Sequence, residues 1–272
     1  MSRAWASRLS NLMPAVLVGV VFFGMWEITV RVFDIDEFLL PKPSSIWLAL
    51  KDQWNGVEGG TLGTVPLREA GLNTAAIAVS GLIIGVVLGA LLALLITRFV
   101  KLGGAVTPFA VAINATPIVA LAPIFNAWFG LTDPASNQAV VVVVVFFPVF
   151  INTTKGLTQV HADQLELMRS FGASEFTVLR RVRIPNAMPF FLTSLRIAAP
   201  LSVIAAIVAE YFGGPQSRLG PVITQNASFA RYDVAWAAIV VASGIGLALF
   251  LLAVLAERIA MPWKRPETIS SS

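Results

Sequence analysis

Long apolar runs, each closed by a charge, a glycine or a proline, dominate this chain. Hydrocarbon offers a backbone no hydrogen-bond partners, so a run of about 20 apolar residues reads as a helix crossing a bilayer. Six such runs occupy residues 12–33, 70–96, 105–129, 138–157, 187–212 and 234–256. The last carries no charge between Asp233 and Glu257. The pattern predicts an all-α integral membrane protein of six transmembrane helices, forming one domain over residues 1–272. No fixed-period repeat and no inverted pair of broken spans is visible.

Composition agrees with that solvent. Of 272 residues, 57% are hydrophobic and 12% charged, with a mean hydropathy of +0.80. A soluble domain carries about 25% charged residues, so an ordinary soluble enzyme is excluded. With no cysteine and a single histidine, His161, disulfides, a thiol nucleophile and the usual zinc sites are excluded too. The basic residues sit in short clusters between apolar runs, which reads as loop charge and not as a nucleic-acid face. No Gly-Lys dipeptide occurs, so the phosphate-cradling P-loop is absent and energy from ATP must enter through a partner.

Charge also orients the chain. Taking the N-terminus as cytoplasmic, 12 Lys and Arg fall on that side and 6 on the other, with Arg196 inside a span. The positive-inside rule then places both termini in the cytoplasm. The first run follows Arg3 and Arg8, contains Glu27 and is not followed by a small-x-small cleavage site, so it reads as a retained span. Beyond it comes Leu39-Leu40-Pro41-Lys42-Pro43-Ser44-Ser45. The prolines predict an extended turn, and Ser44 or Ser45 is expected to cap a short helix ending at Trp54. Its apolar members Ile46, Trp47, Leu50 and Trp54 would lie on the outer membrane face.

Several intramembrane residues stand out. Gly81, Gly85 and Gly89 form one helical stripe suited to close helix packing within or between subunits, and Gly244 with Gly246 invites the same reading. In the third run Pro108, Pro117 and Pro123 interrupt the hydrogen-bond ladder, beside polar Asn114, Thr116 and Asn126. Such backbone is tolerated where it lines a cavity or is buried in protein. The third and fifth runs are therefore the expected pathway, with a kinked structural helix as the alternative. Arg196 lies eleven residues, about 16 Å of helix, beyond Pro185. Its charge costs about 2.5–3.5 kcal/mol at mid-span, which calls for a partner, a water-filled cavity or snorkelling. Glu210 lies near the outer end of its run and is expected to reach water.

The longest loop on the N-terminal side, residues 159–186, is the most specific part of the chain. Asp163 with Glu166 fits an N-cap and its partner, opening a helix over Gln164 to Phe171. Leu165, Met168 and Phe171 share one face, and Gly172 is placed to end the helix in the left-handed conformation. Ser174 is placed to cap a second helix carrying Arg180, Arg181 and Arg183. That helix is expected to end near Ile184 and to be interrupted at Pro185. A short helix with an apolar face suits a groove in a soluble partner.

These residues resemble the permease subunits of ATP-binding-cassette (ABC) importers. The family loop reads E-A-A, three residues, G, nine residues, I, any residue, L-P. This chain has Glu166, Leu167, Met168, Gly172, Val182, Arg183, Ile184 and Pro185 at matching intervals, with Leu167 and Met168 replacing the alanines. Further pieces resemble the branch for nitrate, sulfonates, taurine, bicarbonate, pyrimidine precursors and flavins. They are Phe38-Leu39-Leu40-Pro41, Pro117 with Ala120, Leu121 and Pro123, Trp128-Phe129-Gly130, Phe171-Gly172-Ala173-Ser174, Leu195-Arg196-Ile197 and Ala209-Glu210.

The resemblance implies a type I ABC importer permease fold with a cytoplasmic coupling helix, in a bacterial inner membrane. It implies two cytoplasmic ATP-binding subunits, a second permease copy, and an extracytoplasmic substrate-binding protein. ATP and Mg would be bound by the ATPases, leaving this chain without a cofactor or catalytic residue. Coupling would rest on Glu166, Leu167, Met168, Arg169, Phe171, Gly172 and Pro185, and the substrate pathway on Asn114, Thr116, Pro117, Asn126, Arg196 and Glu210. Oxyanion carriers of the branch commonly place an arginine where this chain has Asn114, which favours an uncharged cargo. The rival readings are an ion-coupled or facilitative carrier, which needs intramembrane carboxylates, and a membrane enzyme, which needs clustered ligands or acid and base groups. Only Glu27 and Glu210 serve the first, and no cluster serves the second.

Overall fold

The computed structural model of the chain describes residues 2–56, 65–98 and 120–262. All regular structure among them is helical: α1 (Ser2–Val32), α2 (Pro43–Trp54), α3 (Leu67–Arg98), α4 (Leu121–Phe129), α5 (Pro134–Thr158), α6 (Ala162–Ser170), α7 (Glu175–Val178), α8 (Ile184–Phe212), α9 (Leu219–Ser228) and α10 (Tyr232–Ala260). Four stretches are long and apolar enough to cross a membrane, namely Leu67–Thr97, Pro134–Thr158, Glu175–Phe212 and Tyr232–Ala260. They coincide with the second, fourth, fifth and sixth apolar runs. The first run lies within α1, and α4 is the described part of the third. Pro108, Asn114, Thr116 and Pro117 lie outside the described residues.

The chain forms two compact units, Met1–Ala70 with Val222–Val241, and Gly71–Pro221 with Ala242–Ser272. In the first, Glu27 of α1 organises the start of α2. Its carboxylate accepts from Ser44 N at 3.1 Å, Ser44 Oγ at 2.8 Å and Arg31 Nη2 at 2.6 Å. This corrects the expected capping: Lys42 is the N-cap and contributes no side-chain bond, while Ser45 Oγ donates to Glu37 at 2.9 Å. A carboxylate from another helix meets the free N–H better than a neighbouring hydroxyl, because it also answers the positive end of the helix dipole. Ile46, Ala49 and Gln53 form the buried face of α2, and Trp47 and Trp54 are exposed. Trp26 packs edge-on against Trp236, and Phe38 against Tyr232, with ring centroids 5.5 Å apart in each pair.

The second unit is built on close helix contact. A Cβ at Gly81 would come within 2.6 Å of Val141 Cβ, one at Gly85 within 3.0 Å of Val142 O, and one at Gly89 within 2.9 Å of Phe146 O. The glycine stripe therefore lets α3 lie directly on the backbone of α5. Val141, Val145 and Val149 continue inward to Ala198, Val203, Ala205 and Ala206 of α8. Gly156 repeats the device, where a Cβ would sit 2.6 Å from Ala187 Cα. Without a hydrophobic driving force between helices in lipid, such small residues gain dispersion by bringing backbones together. At Gly244 and Gly246 nothing described lies within 4 Å of the missing Cβ positions, so these two make no such contact among the described residues of the chain.

Candidate functional site

The loop after α5 begins with α6, whose N-cap is His161 and not Asp163. The His161 carbonyl accepts from Gln164 N at 3.1 Å, and Asp163 lies in the first turn, where its charge still favours the dipole. The helix ends as its sequence predicts. Gly172 has φ +64°, Gly172 N donates to Arg169 O at 2.9 Å, and Ala173 N donates to Met168 O at 3.0 Å. These two bonds form a Schellman motif, which requires a residue free to adopt positive φ.

No residue of α6 is buried. The expected single apolar face divides in two. Leu165 and Met168 are half-buried, whereas Leu167 and Phe171 are 57% and 78% exposed. Leu167 and Phe171 are four residues apart and so neighbours on the helix surface. Beside the helix an open cavity of about 350 Å³ is lined by Gln164, Leu167, Met168, Arg181, Val182, Pro185 and Asn186. Glu166 and Arg169 are exposed.

Ser174 caps α7 as its position predicts, its Oγ accepting from Thr177 N at 3.3 Å. The expected interruption at Pro185 does not occur. Leu179–Arg183 forms a π-turn that runs straight into α8, with Ile184 N donating to Leu179 O. Proline has no N–H and crowds the carbonyl four residues back, and the wider π-turn relieves that crowding without a break. Two residues that the sequence reading gave no role of their own tie the loop ends together. Asn186 Nδ2 donates to Gly156 O at 2.7 Å and to Gln159 O at 3.1 Å, and Arg183 Nη1 donates to Leu157 O at 3.3 Å. An amide immediately after Ile184-Pro185, where the chain meets the end of α5, was the available signal.

The described pathway candidates fall into separate polar nodes. Asn126 is buried; its Nδ2 donates to Phe212 O at 3.0 Å and its Oδ1 accepts from Ser136 Oγ. Arg196 Nε lies 2.5 Å from Glu257 Oε2. Glu257 was missed as a partner because it lies 61 residues onward, although it is the first charge beyond the uncharged stretch of the sixth run.

Glu210 does not reach water. It is 2% exposed, and its Oε2 accepts from Thr74 Oγ1 and Gly220 N, each at 3.0 Å. Leu219 N in turn donates to Thr74 Oγ1 at 3.0 Å. The carboxylate thus meets the first turn of α9, an approach open because residue 220 is glycine: a Cβ there would lie 2.4 Å from Glu210 Cβ. Arg218, next in the chain, is 5% exposed. Burial draws its pKa down and the nearby Glu210 charge opposes that shift. Among the described residues no group of three or more His, Cys, Asp or Glu could hold a metal.

Residues 85–261 match the family described as binding-protein-dependent transport system inner membrane component. The chain is similar to the formylaminopyrimidine transport permease protein ThiX of Halalkalibacterium halodurans, 34% identical over 96% of this chain and 99% of that one. It is also similar to the riboflavin transport system permease protein RibX of Chloroflexus aurantiacus, 26% identical over 93% of this chain and 90% of that one. A third relative is the putative aliphatic sulfonates transport permease protein SsuC of Bacillus subtilis, 25% identical over 93% and 88%. With the all-helical bundle and the loop motif already in place, the chain belongs to the binding-protein-dependent inner membrane components: it is a multi-pass permease subunit of an ABC importer, with the type I permease fold, and not an enzyme.

Proposed function

We propose that this permease works as a homodimer, that each copy docks one cytoplasmic ATPase on α6, and that both termini face the cytoplasm. Membership of the family implies association with an ATPase and a substrate-binding protein; the stoichiometry, the contact residues and the orientation are our reading. ATP and Mg belong to the ATPase, and the solute arrives from the extracytoplasmic binding protein. The named cargoes of the relatives support reading that solute as a small anion or a pyrimidine- or flavin-type ring.

The observation that carries this reading is the outward face of α6. Leu167 and Phe171 stand exposed on a helix with no buried residue, while Leu165 and Met168 brace it from behind. Exposed apolar side chains rimmed by Glu166 and Arg169 suit a groove in a soluble partner. Asn186 and Arg183 clamp the loop to the ends of α5 and α8, so a push on α6 reaches the spans directly. We place Asn114, Thr116 and Pro117 along the pathway, and take Asn126, Arg196 and Glu210 to shape it by fixing the helices around it.

The test is co-purification with the ATPase expressed alongside. Leu167→Asp with Phe171→Asp is expected to release the ATPase while the permease remains in the membrane fraction. Full retention of the ATPase by that double variant would remove α6 as the docking element.

A further inference from the structure

The second unit holds another cavity, well away from the coupling loop. It has a volume of about 470 Å³ and is lined by Asn73, Ile77 and Ser80 of α3, Gln138 of α5, and Ser217 and Arg218 before α9. Gln138 lies in the second turn of α5 and the loop begins after Thr158, so some 20 residues, about 30 Å of helix, separate the two regions. The volume falls within the range of small-molecule sites, about 300–1,000 Å³.

Five polar side chains stand in a lining that is otherwise apolar, and hydrogen bonds hold three of them in place. Gln138 Nε2 donates to Ser80 Oγ at 2.8 Å, and Ser80 Oγ donates to Ala76 O at 2.7 Å. Asn73 Nδ2 donates to Ser217 O at 2.8 Å. Both amides are thereby oriented through their nitrogens, leaving their oxygens as acceptors. Arg218 is buried, and its Nη1 has no hydrogen-bond partner among the described residues. A buried charged donor left unmet is costly, and Arg218 is among the residues lining the cavity.

Charge narrows the class of ligand. Glu210 neighbours Arg218, since Glu210 Cα and Arg218 Nη1 both lie within 4.0 Å of the open Cβ position at Gly214, yet the Glu210 carboxylate accepts from Thr74 and Gly220. The guanidinium is therefore offset in charge while still short of an acceptor. A full anion would bring a second negative charge toward buried Glu210 and would offer no N–H to the amide oxygens of Asn73 and Gln138. An uncharged ring or amide compound carrying both a carbonyl or ring nitrogen and an N–H group satisfies all three.

We propose that the Asn73, Ser80, Gln138 and Arg218 cavity binds the transported solute, and that this solute is an uncharged, nitrogen-rich ring or amide compound. The proposal rests on the permease reading and deepens it by naming a site and a substrate class. Arg218 donates to an acceptor on the ligand, and Asn73 and Gln138 accept its N–H groups.

The test uses the permease with its ATPase in lipid nanodiscs and four probes: a formamide-bearing aminopyrimidine, riboflavin, nitrate and methanesulfonate. At least one of the two ring compounds is expected to bind saturably and both anions to fail. Arg218→Gln should weaken that binding tenfold or more, and Gln138→Leu fivefold or more. Should Arg218→Gln fail to insert, Gln138→Leu on a different helix decides the question. Preference for the anions, no binding of either ring compound, or unchanged affinity in an inserted variant overturns the proposal. An ATPase that co-purifies with a wild-type permease blind to both rings sinks the site alone, whereas an ATPase that never co-purifies sinks the permease assembly beneath it.

Discussion

Arg196 of α8 and Glu257 of α10 form an ion pair 2.5 Å apart, with the carboxylate side chain 6% exposed and the arginine 37% exposed. The pair joins two spans, and each member answers the cost of the other in a medium that solvates neither. Removing Glu257 alone leaves an arginine charge at mid-span. Glu257→Ala is expected to destabilise the protein by an amount toward the low end of about 3–5 kcal/mol, since Arg196 is partly exposed. Thermal unfolding of the purified permease checks this. The double change Arg196→Leu with Glu257→Leu should recover most of the loss, and a double variant as unstable as the single one would show that the pair is not the source.

Glu210 and Gly220 set up a second test. Gly220→Ala would place a Cβ 2.4 Å from Glu210 Cβ, so the first turn of α9 must move and its bond to the carboxylate is lost. Overpacking of this kind costs about 1–3 kcal/mol. Thr74→Val removes two bonds at the same node, with an expected cost of about 1–3 kcal/mol. Unfolding curves superimposable on wild type for both would show that this node does not hold α9.

The two glycine sets should behave oppositely. Gly85→Val is expected to prevent α3 from lying on α5 and to abolish accumulation of folded protein, because Val142 O and Val145 leave no room. Gly244→Ala and Gly246→Ala meet open space and should leave stability within about 1 kcal/mol of wild type, the scale of the helix-propensity difference. Size-exclusion profiles in detergent distinguish the outcomes, and a collapse of the Gly244→Ala profile would contradict the second half.

Gly172 tests coupling. Proline cannot adopt φ +64° and has no N–H to donate to Arg169 O, so Gly172→Pro destroys the stop of α6. ATP-driven uptake in reconstituted vesicles is expected to vanish while membrane insertion persists. Uptake at the wild-type rate would separate the shape of this helix end from energy coupling.

What could be read from one dimension was whatever depends on near neighbours. The length of an apolar run decides whether a helix crosses hydrocarbon, and the described spans fall where those runs do. Gly172 and Ser174 acted as their own positions dictate, since a Schellman turn and a hydroxyl cap are closed by residues three to five apart. Errors appeared where a partner came from afar. Ser44 was read as a cap and is instead held by Glu27, 17 positions earlier; Glu210 was given to water and is met by Thr74, 136 positions away.

The glycines make the division plainest. Gly81, Gly85 and Gly89 have the same local appearance as Gly244 and Gly246, yet among the described residues only the first set has a backbone pressed against it. A missing side chain states that an approach is possible, and the arrangement of the other helices decides whether it is used. For the same reason the sequence determined the family, the helical class and the stop and cap of the short loop helices through local pattern. Only the tertiary structure decided that Arg196 has Glu257, that Leu167 and Phe171 stand exposed, and that Arg218 borders a cavity, because charge balance and burial are properties of what surrounds a residue and not of the residue itself.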